Sequence, residues 1–109
     1  MTAKSEYDAA YFTLLRAREE HTDLMRYRDF LTDERARLDE FSEQTRDRLD
    51  LLPDRLRRPL AGTSKPLLEA VGRRRAVVLG ELNRIDDRIA AAEAFVEECE
   101  LEVAALRQA

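Results

Sequence analysis

Residues 66–106 read PLLEAVGRRRAVVLGELNRIDDRIAAAEAFVEECELEVAAL, and the spacing within them decides the fold. Leu68, Val71, Arg75, Val78, Leu82, Ile85, Ile89, Ala92, Val96, Cys99, Val103 and Leu106 succeed one another at alternating steps of three and four, and only Arg75 is charged. That repeat of 3.5 residues is the period of a left-handed coiled-coil seam, because a straight helix would drift away from it at 3.6. Gly72 and Gly80 weaken the helix by about 1 kcal/mol each relative to Ala, which a long packed helix absorbs. Pro66 suits a first turn, where its missing N–H leaves no bond unmade, with Thr63 or Ser64 as the cap. The spacing predicts a helix over about 66–107.

Upstream, residues 5–52 contain neither Gly nor Pro. The same seam runs back through Tyr7, Ala10, Leu14, Ala17, His21, Leu24, Arg28, Leu31, Arg35, Leu38, Ser42, Thr45, Leu49 and Leu52, with more polar members. Apolar area returns beside it at Tyr11, Met25, Tyr27 and Phe41, a band wide enough to meet more than one neighbour. Ser5 with Asp8 resembles a capping arrangement. Between the two segments lies LLPDRLRRPLAGTSKP, which holds all three prolines. It predicts a Pro-rich tip over about 53–65, with DRLRR as a short turn of helix within it. The fold class expected is therefore all-α: an antiparallel two-helix hairpin, a coiled coil whose arms run roughly 65–70 Å at 1.5 Å per residue. One seam per helix makes a thin core, so dimerisation into a four-helix bundle is expected as well.

Composition agrees. Among 109 residues, 19 Lys+Arg stand against 23 Asp+Glu for a net charge of −4, with 44% hydrophobic residues and only 3 Gly and 3 Pro. Sheet folds need more turn-forming material than that. One Cys excludes an internal disulfide, and one His with one Cys does not supply a zinc site. No nucleophile–base pair or phosphate loop is legible, so a non-enzymatic protein without cofactor or metal is expected. No apolar run reaches the roughly 20 residues that span a bilayer, and MTAKSEYD is not followed by a signal-peptide core. The expected location is cytoplasmic.

Function must then reside in surfaces. Partner-binding candidates are the apolar residues flanking the seam: Tyr11, Met25, Tyr27, Phe30, Phe41 and Phe95. Residues 46–75 hold nine basic and four acidic side chains, a net +5 that leaves −9 for the remainder. This basic tip, with Arg55, Arg57, Arg58, Arg73 and Arg74 as its candidates, suits phosphate or an acidic protein surface. It lacks an aromatic residue to stack on bases. The polar seam residues His21, Arg28, Arg35 and Arg75 sit where an apolar side chain would stabilise more, and they suit register control or an anionic contact. In a hairpin centred near residue 59, Arg28 falls opposite Ala90, Arg35 opposite Asn83, Arg75 opposite Glu43, and His21 opposite Glu97 with Cys99 close by. Arg28 and Arg35 reach Asp86, Asp87 or Glu93 by snorkelling.

The segment REEHTDLMRYRDFLTDERARL, residues 18–38, resembles the first helix of RsiG-type actinobacterial anti-sigma proteins through Asp23, Leu24, Arg28, Leu31 and Leu38. Members of that family are helical hairpins, and those that bind cyclic di-GMP use Glu-x3-Ser-x2-Arg-x3-Gln-x3-Asp. The matching positions here are His21, Met25, Arg28, Thr32 and Ala36, so only the arginine is retained and the ligand is not implied. The resemblance implies contact with a transcription protein, a sigma factor or RNA polymerase. A bias of 17 Arg to 2 Lys fits a GC-rich bacterial genome. The function expected is a small regulatory or adaptor protein that forms a homodimer and acts by coiled-coil contacts with another protein. A structural self-assembling coiled coil and a nucleic-acid-binding hairpin are the alternatives.

Overall fold

A computed structural model describes residues 2–108 as two α-helices, α1 (Ala3–Asp50, 48 residues) and α2 (Asp54–Gln108, 55 residues). They form the expected all-α hairpin. The α1 cap differs from expectation. Thr2, not Ser5, receives the first free amide: Thr2 Oγ1 accepts from the Ser5 N–H at 3.2 Å and lies 3.0 Å from Ser5 Oγ. The shift follows from Ala3 and Lys4, which are good helix formers and extend the helix to the next hydroxyl upstream.

The tip is a correction. The expected Pro-rich loop over 53–65 is instead the beginning of α2, and the chain reverses in residues 51–53 alone. The Leu51 and Leu52 amides bond back to the Asp47 and Leu49 carbonyls, and the Pro53 carbonyl accepts from Leu56 and Arg57. Pro53 keeps the residue before it out of the helical region, so the turn falls there. Pro59 and Pro66 both lie inside α2, so the second helix does not begin at Pro66 and Thr63 and Ser64 do not cap it. Each proline removes one i→i−4 bond. Here that loss is tolerable because nearly all of residues 53–67 is exposed and water can reach the freed carbonyls. The Pro59 carbonyl also receives the Thr63 hydroxyl at 3.1 Å.

Contacts divide the chain into a terminal unit, Met1–Asp29 with Arg84–Ala109, and a turn unit, Phe30–Asn83. In the terminal unit Ala10, Leu14, Ala17, Cys99 and Val103 form the core, flanked by Tyr7, Val96 and Leu106, and Ile85 and Ile89 are buried along the same seam. In the turn unit Leu31 and Val78 are fully buried. Every predicted seam position on α2 is at least half-buried, and on α1 every one except Arg35.

Candidate interaction surface

No charged or polar residue is fully buried among the described residues, and no buried side-chain polar atom lacks a partner. The seam arginines manage this by reaching sideways with their alkyl stems packed and their heads wet. Arg28 pairs with Asp86 at 3.6 Å, one of its three expected partners. Arg75 pairs with Asp39, which also faces Arg35 from its own helix at 3.9 Å. Arg35 therefore does not reach α2 as expected, and Asp39 is a hub the sequence reading missed. Arg75 was expected opposite Glu43 and instead meets Asp39, four positions earlier on α1, whereas Arg18 and Glu100 meet at the expected register.

His21 is half-buried in the seam. Cys99 packs among Ala10, Leu14, Ala17 and Val103, where burial, reinforced by Glu102 and Glu98, pushes its thiol above its ordinary 9.0. A buried, protonated thiol is a packing group and a poor nucleophile. Among the described residues no three His, Cys, Asp or Glu side chains are gathered to hold a metal ion. None of the described helices is long and apolar enough to cross a membrane.

All five arginines of the basic region are exposed, and two of them also make contacts within the chain. Arg57 closes the turn: its Nη2 donates to the Asp50 and Leu52 carbonyls at 3.3 and 3.0 Å, and its Nη1 pairs with Asp54 at 3.3 Å. Arg74 makes a two-pronged ion pair with Glu34, one contact being Nη2 to Oε2 at 3.0 Å. That hydrogen bond is the main reason the Glu34 carboxyl lies below its usual value, against an opposing push from partial burial. Arg55, Arg58 and Arg73 are exposed.

The six apolar candidates, Tyr11, Met25, Tyr27, Phe30, Phe41 and Phe95, are all 38–52% exposed. In the terminal unit Tyr11 stacks on Tyr7 with ring centroids 6.2 Å apart, and Arg107 donates to the Tyr7 hydroxyl at 3.1 Å. Tyr11 also lines an open groove with Leu14, Val103 and the Arg18–Glu100 pair, whose charged atoms are 3.4 Å apart. Tyr27 lines another with Leu24, Glu20, Asp23 and Arg88. Neither groove is enclosed, so each suits a side chain of a docking helix rather than a sequestered small molecule. The sequence reading passed over Leu60, Leu67 and Val77, which are also exposed. Their positions beside the heptad seam of α2 were the available signal. No protein-family model, curated protein or solved structure matches the chain.

Proposed function

We propose that this chain is a non-enzymatic regulatory or adaptor protein that self-associates and docks a second protein through apolar side chains flanking its coiled-coil seam. The observation supporting this reading is the half-exposed set Tyr11, Met25, Tyr27, Phe30, Phe41 and Phe95 beside a core whose fully buried large side chains are Leu31, Ile85 and Val78. Large aromatic and Met side chains held at a surface by a helix are the usual anchors of helix-on-helix recognition. The resemblance of residues 18–38 to RsiG-type proteins makes bacterial transcription machinery, a sigma factor or RNA polymerase in the cytoplasm, the leading partner class.

The competing nucleic-acid reading loses strength because Arg57 and Arg74 are already committed to the turn and to Glu34. The decisive comparison is binding of purified bacterial sigma factors and RNA polymerase to wild-type protein and to a Tyr11→Glu, Met25→Glu double variant of equal helicity. The expected result is binding to one of them that weakens at least about tenfold in the variant, a loss of about 1.4 kcal/mol. Binding to neither, together with low-salt DNA binding that is lost when Arg55, Arg58 and Arg73 become Ala, would overturn the proposal in favour of nucleic acid.

A further inference from the structure

The geometry points to a second docking surface, beyond the protein contact proposed above: the turn of the hairpin meets an anionic lipid surface end-on. Leu51 and Leu56 enter that surface, and Arg46, Arg48, Arg55 and Arg58 lie on its phosphates. Residues 55–68 read RLRRPLAGTSKPLL, four basic side chains and four leucines without one acidic residue. Folding puts the start of this run at the reversal, since the chain turns in residues 51–53 and α2 begins at Asp54. At the apex Leu51 is 85% exposed, more than any other large hydrophobic residue among those described, and Leu56, in the first turn of α2, is 42% exposed. Residues 46–68 hold Arg46, Arg48, Arg55, Arg57, Arg58 and Lys65 against Asp47, Asp50 and Asp54, a net +3.

The placement of the arginines selects the occupant. Arg57 is engaged with the turn carbonyls and Asp54, whereas Arg46, Arg48, Arg55 and Arg58 are exposed and make no ion pair or hydrogen bond among the described residues. At about 100° per residue, Arg46 and Arg48 stand on the two opposite flanks of α1, and Arg55 and Arg58 on the side of α2 away from the seam. A docking helix or a nucleic-acid duplex meets one side of a hairpin and would leave the arginines of the other side in water. A plane laid across the end meets all four. Nucleic acid would also set the apex leucines against phosphate, and no aromatic residue stands between positions 46 and 75 to stack on bases. An apolar apex with cations set behind it is what a lipid interface accepts, because apolar side chains reach about 5–10 Å into the headgroup–acyl boundary while cations stay with the phosphates. The depths agree. Arg46 stands five residues before Leu51 and Arg58 five after Pro53, so at 1.5 Å per residue the arginines lie at most about 7.5 Å behind the apex. The headgroup layer of one leaflet is about 5–7 Å thick. None of the described helices is long and apolar enough to cross a membrane, so this contact is attachment to one leaflet and not a span.

The test is co-sedimentation of the full chain with vesicles of phosphatidylcholine alone and of phosphatidylcholine with about 30% phosphatidylglycerol. The chains compared are wild type, Leu51→Asp, the Arg55→Ala, Arg58→Ala double variant and, as an equal change of charge in the terminal unit, Arg16→Ala with Arg26→Ala. The wild type is expected to bind the anionic vesicles at least about tenfold more tightly than the neutral ones. That binding should fall at least about tenfold in Leu51→Asp and about 25-fold in the tip double variant, with less than about a threefold change in the control. A nitrobenzoxadiazole fluorophore on Leu51→Cys, in a Cys99→Ala background, should be quenched by lipids with nitroxide on the acyl chain, and the same fluorophore on Gln44→Cys should not. No preference for anionic vesicles, or equal losses in the tip and control arginine variants, would overturn the proposal. Binding that survives Leu51→Asp with the fluorophore unquenched would overturn it too, because that is adhesion by charge alone. DNA bound at low salt by wild type and Leu51→Asp alike, without vesicle binding, would assign the tip to nucleic acid instead.

Discussion

Leu31 and Val78 have no exposed surface although they belong to a two-helix unit with a single seam. Such burial concentrates stability in few side chains. Leu31→Ala is expected to cost about 2–5 kcal/mol in urea unfolding followed by circular dichroism, because the cavity adds to the lost transfer energy. A cost below about 1 kcal/mol would mean that the site collapses on substitution or that Leu31 is not a core residue. Glu34 acts differently. Its hydrogen bond from Arg74 favours the ionised form in the folded chain, so the carboxyl lies below its ordinary 4.5. A lowered carboxyl adds stability above the unfolded value and loses it as pH falls through the folded one. Thermal unfolding at pH 7 and pH 3 should therefore show a larger drop for wild type than for Glu34→Gln. Equal drops would remove the pair from the account of acid sensitivity.

Among the elements, α2 contains residues that a helix interior disfavours, yet it remains helical throughout. Pro59, Gly62, Pro66 and Gly72 all fall in its first twenty residues. A Cβ built at Gly72 meets nothing within 4 Å, and no glycine adopts a positive φ among the described residues. Gly72→Ala is accordingly expected to raise stability by about 0.5–1 kcal/mol by restricting the unfolded backbone and improving helix propensity. The measurement is the same urea titration, and a decrease would mean that Gly72 has a role its open surroundings do not reveal. The prolines explain why the tip was misread. Pro59 and Pro66 look like breakers in sequence, but each removes only one hydrogen bond, and the exposure of residues 53–67 lets water satisfy the freed carbonyls. Propensity is a weak prior where tertiary contacts decide.

For the molecule as a whole, intrachain pairing of the helices is directly checkable. Arg18→Cys with Glu100→Cys, in a Cys99→Ala background, should be bridged within one chain by a short bismaleimide, since the native side chains meet at 3.4 Å. A predominantly interchain product would mean that the helices exchange between copies. The exposed ion pairs are not what holds the hairpin, because each such pair contributes about 0–1 kcal/mol and is weakened by salt. Buried seam residues hold it.

The 3.5-residue spacing, from Tyr7 to Leu52 and again from Leu68 to Leu106, by itself determined two long helices and which stripe of each is buried. Periodicity states which residues share a face, and a shared apolar face must be covered. The exposure of Tyr11, Met25, Tyr27, Phe30, Phe41 and Phe95 was legible for the same reason. Only the tertiary structure decided where the chain turns, that Arg75 meets Asp39 rather than Glu43, and that Arg57 and Arg74 are taken up by the turn and by Glu34. Those outcomes depend on the length of the connection. A heptad pattern repeats every seven residues and reads almost equally well one turn earlier or later, so the partner across the seam is set by the geometry of the reversal.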